Sequence, residues 1–518
     1  MSADYAYIIV GSGVAGSTVA TKLLEAHPET PILMLEAGPR VPMKDRRSWW
    51  DYVIDGSRKP YEQCEDRDGD NPSVGGTAWH SKGSRTMMYG GSTVHWGGWS
   101  MRFKPEDFYL KTNTGQGGDW PYDYDTLEPY YCRADEYLSV CGNDNDPWRS
   151  KPYPLPPYPW TESDGEMIQA FINLGITPGR MPLARYRKCM ATGTCKYCPF
   201  GARFSGAYIL DDLLSEPKYT NLNFIGMAPV TRLVAESKSR IHAVEYLDPA
   251  TGETVTASGD RIIICSGAYE APKLLMLSGS PYWDNGIGND HDLVGRYVIS
   301  HPFLSVAGTK DKNDERWIQE FDFPSLMSRT YDTEKYQQNG KMFLMKTASF
   351  PNVDIASHMI AGKDRDEIDR IVTGPRQVQL SAFMEETGQY SNRFSVGEGT
   401  TRIGLPRTRI DFTLPSDFQE RANKNLNLME AVIRQMGYTV TEKDRKIGEQ
   451  DGHHTSSTCR MGKDPTEGVV DADLKVFGTD NLYVCSNAVH PTCAAVNPTL
   501  TLVAVTLKLT DYLLSQKL

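Results

Sequence analysis

The sequence predicts an α/β protein in which a discontinuous parallel-sheet domain carries an inserted α+β domain built on an antiparallel sheet. Three observations carry that class. First, four runs are nearly continuous in aliphatic residues: YAYIIVG at 5–11, PILMLEAG at 31–38, RIIICSG at 261–267 and NLYVCSN at 481–487. Runs without polar alternation fit strands covered on both faces. Second, helical stretches follow two of them. Ser17 to Ala26 sets Val19, Ala20, Leu23 and Leu24 on one side, and a closing helix from Pro498 carries Leu500, Leu502, Val503, Val505 and Leu507. Third, these signals sit at both ends of the chain and near residue 265. Between them lie the Pro-rich KPYPLPPYPW at 151–160 and less regular β-like segments from 300 to 415. A pattern that begins, resumes and finishes as α/β marks one domain interrupted by another. The expected division is 1–115, 200–302 and 441–518 for the first domain, with 116–199 and 303–440 for the second.

Composition narrows the partners. Apolar residues make up 39% and charged residues 23% of 518, which supports a sizeable core rather than disorder. Lys plus Arg number 55 against 66 Asp plus Glu, a formal charge of −11. An acidic chain without a basic run argues against nucleic acid or anionic lipid as the main partner. The N-terminus has no basic region ahead of its apolar run, so no signal peptide is expected. The runs from Arg261 and Leu500 fall far short of a membrane span. The expected location is cytoplasmic, or periplasmic through a signal-bearing partner.

Gly11-Ser-Gly13-Val-Ala-Gly16 follows the first strand and opens the first helix, and Glu36 ends the second strand twenty residues beyond Gly16. In that context the glycines fit a dinucleotide-binding, Rossmann-like turn. Gly11 permits the tight turn, Gly13 lets the backbone approach a pyrophosphate, and Gly16 brings helix and sheet together. The helix N-terminus stabilises phosphate charge, and Glu36 can accept both ribose hydroxyls while disfavouring a 2′-phosphate.

Eight segments in order extend this reading: GSGVAG (11–16), EAGPR (36–40), YGGSTVHWGG (89–98), DWPYDYDTLEPYY (119–131), CSGAYEAPKLLMLSG (265–279), LVGRYVISHP (293–302), HHTSSTCRMG (453–462) and NPTLTLVAVTLKLTD (497–511). With them the chain resembles the glucose–methanol–choline (GMC) oxidoreductases, and among them bacterial sugar dehydrogenases and pyranose oxidases. The resemblance implies FAD and the oxidation of a secondary or anomeric hydroxyl of a sugar or glycoside, by proton abstraction and hydride transfer to flavin N5. The products are a keto-sugar or lactone. A glycoside 3-oxidase or pyranose oxidase using oxygen is the alternative, and a GMC-type lyase a further one. Partners of the family's kind are an electron-transfer or small chaperone-like subunit, and an oligomer fits as well.

The resemblance also assigns residues. Gly90, Gly91 and Ser92 lie in the loop that seats the isoalloxazine. His95 falls where sugar oxidases carry a histidine bonded to the flavin 8α-methyl, while in other relatives the residue only packs on the ring. His454 matches the catalytic base, with His453 as its neighbouring rival, and Asn497 matches the second active-site residue. Neutral imidazole suits the base. Asn497-Pro498-Thr499 also reads as a helix start, with Asn497 capping and Pro498 at the first position. Ser486 stands where many relatives carry an acid near the FAD ribityl chain. His490 is either a substrate contact or a packing residue.

Three of ten cysteines, Cys189, Cys195 and Cys198, fall within ten residues. A compact thiolate trio with Pro199 after it suits a [3Fe–4S] cluster, which related flavin glucose dehydrogenases hold in a similar loop. A [4Fe–4S] cluster or zinc would need a fourth ligand, and Cys132 and Cys141 are the candidates for the former. Buried thiols are the plain alternative.

Overall fold

The computed structural model describes residues 4–43, 60–67, 69–143, 146–186, 201–311, 321, 323–350, 358–359, 361–443 and 448–516. Strand β1 (Tyr5–Val10) lies at the centre of a seven-stranded sheet. Parallel to it run β2 (Ile32–Leu35) on one side and the second half of Thr254–Ile264 on the other. Leu222–Ile225 extends the sheet beyond β2, and Leu482–Val484 pairs in parallel with Thr254–Ile264. Ile8 and Ile9 are fully buried, as are Ile262, Ile263 and Ile264 beside them. Unbroken aliphatic runs therefore mark strands covered on both faces. Helix α1 (Val14–Ala26) packs against the closing helix Thr499–Ser515, which starts one residue later than the sequence suggested. The helix Tyr124–Tyr137 lies against that closing helix, with the Tyr131 hydroxyl 2.8 Å from Thr501 Oγ1.

One part of this sheet is not parallel. The first half of Thr254–Ile264 pairs antiparallel with Ile241–Leu247, which pairs in turn with Val230–Ala235. That half reads Thr-Val-Thr-Ala-Ser and alternates in burial, whereas its last four residues are all buried. One strand thus takes both pairings, because only its second half is apolar enough to be covered on both faces.

The second sheet has six strands in the order Thr439–Lys443, Phe303–Lys310, Arg376–Met384, Met342–Phe350, Leu326–Ser328 and Gly179–Arg180, antiparallel throughout. Helix Phe418–Gln435 covers one face, where Leu426, Met429 and Ile433 share a core cluster with Leu304, Val306 and Ala382. Side chains alternate along a strand, so Phe303 and Phe383 stand on the other face. They join the wall of the cavity between the two sheets. The parallel strands end at the same edge of their sheet, and that edge opens on the cavity.

Candidate active site

At the end of β1 the chain turns through Gly11, whose φ is +100° and where a Cβ would lie 2.8 Å from the Cys265 carbonyl oxygen. A Cβ on Gly16 would stand 2.1 Å from the Gly11 carbonyl oxygen, so helix and strand touch through it. Gly13 is different. Its nearest neighbour to a Cβ is Gly91 Cα at 3.9 Å, leaving that face open to the cavity. Helix α1 starts at Gly13 with no side-chain cap, so its first amides are available to a phosphate. Glu36 is buried at the end of β2. Its Oε2 accepts from Ser12 N–H at 2.9 Å and from the Ser12 hydroxyl at 2.7 Å, and its Oε1 accepts from Gly38 N–H at 2.9 Å. Oε2 is filled by its two bonds from Ser12, and Oε1 keeps a second lone pair for a ribose hydroxyl.

The cavity beside these residues has a volume of about 580 Å³ and reaches from Glu36 to His454. Of the residues predicted from sequence, Gly16 and Gly90 stay behind its wall and the others among the glycines, Ser92, His95, Ser486, Asn497, Pro498 and Thr499 line it. Gly90 has φ +86°, and a Cβ there would meet Ala207 at 2.7 Å, so it shapes the loop rather than meeting a ligand. Arg203 holds that loop by donating to the carbonyls of Val94, at 2.7 Å, and of Trp96. His95 Nδ1 lies 2.9 Å from Glu65 Oε1, and the Tyr61 ring meets it edge-on at 5.7 Å. Burial lowers the His95 pKa, and the Glu65 carboxylate works against that. Ser92 Oγ accepts from Thr86 N–H, and Ser486 Oγ accepts from Ala488 N–H.

At the other end, the turn Gly452–His454 delivers two histidines to different partners. His453 is half exposed and turns to the Asp451 carboxylate. His454 is enclosed. Its Nδ1 lies 2.8 Å from His301 Nδ1, and its Nε2 accepts from Asn497 Nδ2 at 2.9 Å. Burial pushes the His454 pKa well below the usual histidine value, with His301 and His453 adding to the effect. The ring is therefore neutral and able to accept a proton. Phe383 meets it edge-on at 4.7 Å, and Trp99 and Phe303 pack around Phe383 to continue an aromatic wall.

Asn497 does not cap the closing helix as the sequence suggested. Its amide is taken by His454, Pro498 occupies the cap position, and the helix start has no side-chain cap. Like α1, this helix presents uncapped amides to the cavity, since Pro498, Thr499 and Leu502 line it. Three buried oxygens in the wall, Ser266 Oγ, Asn487 Oδ1 and Asn497 Oδ1, have no hydrogen-bond partner among the described residues. Orphaned polar atoms of this kind call for a polar ligand. Two uncapped helix ends, an open glycine face and a carboxylate at the ribose end fit FAD.

Sequence reasoning missed several residues here. His301, the aromatics Trp99, Phe303 and Phe383, and Glu65 behind His95 all went unassigned, although LVGRYVISHP contains His301. His490 is fully buried, lies outside the cavity wall and packs between Phe103, edge-on at 6.1 Å, and Trp120, tilted at 5.3 Å. It is a packing residue. Cys189, Cys195 and Cys198 lie outside the described residues. Cys132 and Cys141, considered as a fourth ligand, are buried with partners of their own: Glu128 for Cys132 and the Leu183 carbonyl for Cys141. Among the described residues no group of three or more His, Cys, Asp or Glu could hold a metal ion, and no helix is long and apolar enough to cross a membrane.

Comparison with known proteins places this architecture. The fructose dehydrogenase large subunit of Gluconobacter japonicus is 26% identical, over 99% of this chain and 98% of its own. The C-glycoside 3-oxidase of Arthrobacter globiformis is 24% identical over 96% and 93%. The solved pyridoxine 4-oxidase of Mesorbium loti superposes with a TM-score of 0.68 at 19% identity, covering 99% of this chain and all of that one. The relatives by sequence include both dehydrogenases and oxidases. The family descriptions for GMC oxidoreductases match residues 5–303 and 397–506. These matches take in the glycine turn, the histidine pair and the closing helix, and the chain belongs to the GMC oxidoreductase family, FAD enzymes that act on alcohol or sugar CH–OH groups.

Proposed function

We propose that this enzyme oxidises a secondary or anomeric hydroxyl of a sugar or glycoside to a keto-sugar or lactone. The observation that carries the reading is the arrangement around His454: a neutral imidazole whose Nε2 meets the Asn497 amide, beside the aromatic wall of Phe383, Phe303 and Trp99. Aromatic faces suit the C–H faces of a pyranose, and a buried amide suits one hydroxyl. The named activities of relatives at similar identity, fructose dehydrogenase, 6'''-hydroxyparomomycin C oxidase and C-glycoside 3-oxidase, point the same way.

Gly11, Gly13 and the start of α1 would hold the FAD pyrophosphate, Glu36 the adenosine ribose, and the Gly91–His95 turn the ring system. Bound there, the isoalloxazine supplies the hydride acceptor at N5. The chain does the rest. The substrate hydroxyl replaces the Asn497 N–H at His454 Nε2, which takes its proton, and the freed amide donates to the substrate oxygen so that the C–H stays aligned. Phe383 shields the imidazole from water. The amides at Thr499 favour negative charge at their end of the cavity. His95, with Glu65 on Nδ1, would bond the 8α-methyl through its other nitrogen.

An anaerobic screen tests the reading. The purified holoenzyme is mixed with d-glucose, d-fructose, phenyl β-d-glucoside, pyridoxine and simple aliphatic alcohols, and flavin bleaching is followed. Sugars or glycosides are expected to bleach it fastest; bleaching by the non-sugar alcohols alone would overturn the substrate class, and a flavin that no compound bleaches would favour a lyase. Iron analysis and an EPR spectrum of the same preparation decide the acceptor. Iron bound by Cys189, Cys195 and Cys198 makes the protein a dehydrogenase that passes electrons to a partner subunit, and its absence favours oxygen. Flavin that stays with acid-precipitated protein would establish the His95 bond, and a colourless pellet would refute it.

A further inference from the structure

The rings of His301 and His454 face each other through their Nδ1 atoms at 2.8 Å, with ring planes 77° apart. One proton lies between them, and the surroundings decide which ring owns it. His301 Nε2 is 3.1 Å from the carbonyl oxygen of Cys493 and 3.0 Å from that of Ala494. Carbonyl oxygens only accept, so Nε2 carries the His301 proton. Ala494 has a φ of +50°, a left-handed conformation that costs energy in a residue with a Cβ and persists only where the surroundings impose it. Here it helps turn two successive carbonyls onto one nitrogen. Burial pushes His301 down to about 4, so the ring stays neutral and its Nδ1 keeps a lone pair. The shared proton therefore sits on His454 Nδ1. The His454 lone pair is left on Nε2, where Asn497 donates to it.

We infer that His301 is the positioning residue of this active site, holding His454 in the tautomer whose Nε2 lone pair meets the Asn497 amide. The inference rests on the reading of His454 as the base. Without His301 the two His454 tautomers become closer in energy, and one of them carries its proton on the nitrogen that must accept one. With it, the resting state is the reactive one. When Nε2 takes the substrate proton, the Nδ1–H bond to His301 becomes charge-assisted and shortens. The charge then spreads towards a ring braced by two carbonyl dipoles. This is the orienting task of a carboxylate beside a catalytic histidine, performed by a neutral group. Asp332 acts on His301 through space, His453 acts on His454, and Glu385 and Glu386 act on Cys493, but no carboxylate hydrogen-bonds either imidazole among the described residues.

Nitrogen-15 NMR of histidine-labelled holoenzyme reads the tautomer without turnover. Signals assigned with the His454→Ala variant should show Nδ1 protonated and Nε2 unprotonated. In His301→Leu, which removes the acceptor, they should shift towards a tautomer mixture. Anaerobic flavin reduction by the fastest sugar of the panel above should fall about 10²-fold or more in His301→Leu, given the cost of a wrong tautomer in a histidine–carboxylate pair. The loss should appear in kcat rather than KM. His301→Asn, which keeps an amide oxygen as acceptor, should recover most of the rate. A proton found on Nε2 of wild-type His454, or a His301→Leu enzyme with wild-type kcat, overturns the proposal. Should His301→Leu fail to bind flavin, the wild-type spectrum and the asparagine variant still decide it. A His454→Ala enzyme with an unchanged reduction rate would sink the base assignment instead, and the tautomer measurement would stand apart from that failure.

Discussion

At the Glu36 end of the cavity the main chain makes the wall: Gly11 and Gly13 bring backbone within reach of a ligand, and α1 offers bare amides. At the His454 end the wall is made of side chains from distant segments, with His301, Phe383, His454 and Asn497 meeting through hydrogen bonds and ring contacts. The difference is one of tolerance. Backbone binding fails when a single Cβ intrudes, and it has no proton to lose. Side-chain chemistry fails by degrees and answers to pH.

The comparison can be broken first at the chemical end. His454→Ala should lower the rate of flavin reduction by about 10²–10⁴ and leave flavin content unchanged, measured by anaerobic stopped flow and by absorbance. Loss of flavin in that variant would mean that the two ends are not separable. The pH response should come next in size. His301 is pushed from the usual histidine value down to about 4 by burial. The unfolded chain therefore binds a proton that the folded ring refuses, so stability is full above about pH 6.5 and falls as pH drops towards 4, by about 3 kcal/mol from this ring alone. Denaturation midpoints across that range should show the slope, and His301→Asn should flatten part of it.

The backbone end should respond to bulk alone. Gly16→Ala sets a methyl 2.1 Å from the Gly11 carbonyl oxygen, so helix and strand must separate. We expect a stability loss of about 1–3 kcal/mol, with FAD bound more weakly in titration and no change in the pH profile of the flavin that remains. The smallest effect is expected outside the cavity. His490 is fully buried, and neither ring nitrogen has a hydrogen-bond partner among the described residues. His490→Phe should keep the ring contacts with Phe103 and Trp120, and remove the unpaired polar atoms. It should raise stability by about 1 kcal/mol with kcat unaltered; a lower melting temperature would show that the imidazole is doing something the aromatic ring cannot.

How much of this was legible in the sequence follows the same divide. The glycine turn and Glu36 lie within 26 consecutive residues, and their role depends on local strand–turn–helix geometry, so reading the string was enough. His454 and Asn497 were reachable through their motifs, but Asn497 was given a capping role that the fold hands to Pro498. Its amide goes to a ring 43 positions earlier, and no local rule anticipates that. His301 lies 153 positions from its partner, and its importance comes from two carbonyls near Ala494. The antiparallel pairing of Thr254–Ile264 was hidden for another reason. The aliphatic half was recognised as a strand, while the alternating half ahead of it belongs to the same strand with a different neighbour.

Two helices, α1 and Thr499–Ser515, start without side-chain caps and turn their first amides into one cavity. Their positive ends are brought into a common space, a repulsive arrangement that an anionic ligand between them relieves. FAD is then a component of folding as well as of catalysis. Above its dissociation constant, each tenfold rise in free FAD should add about 1.4 kcal/mol to the stability of the folded chain. The amount of enzyme that survives in a cell would consequently follow the supply of flavin, before any substrate is met.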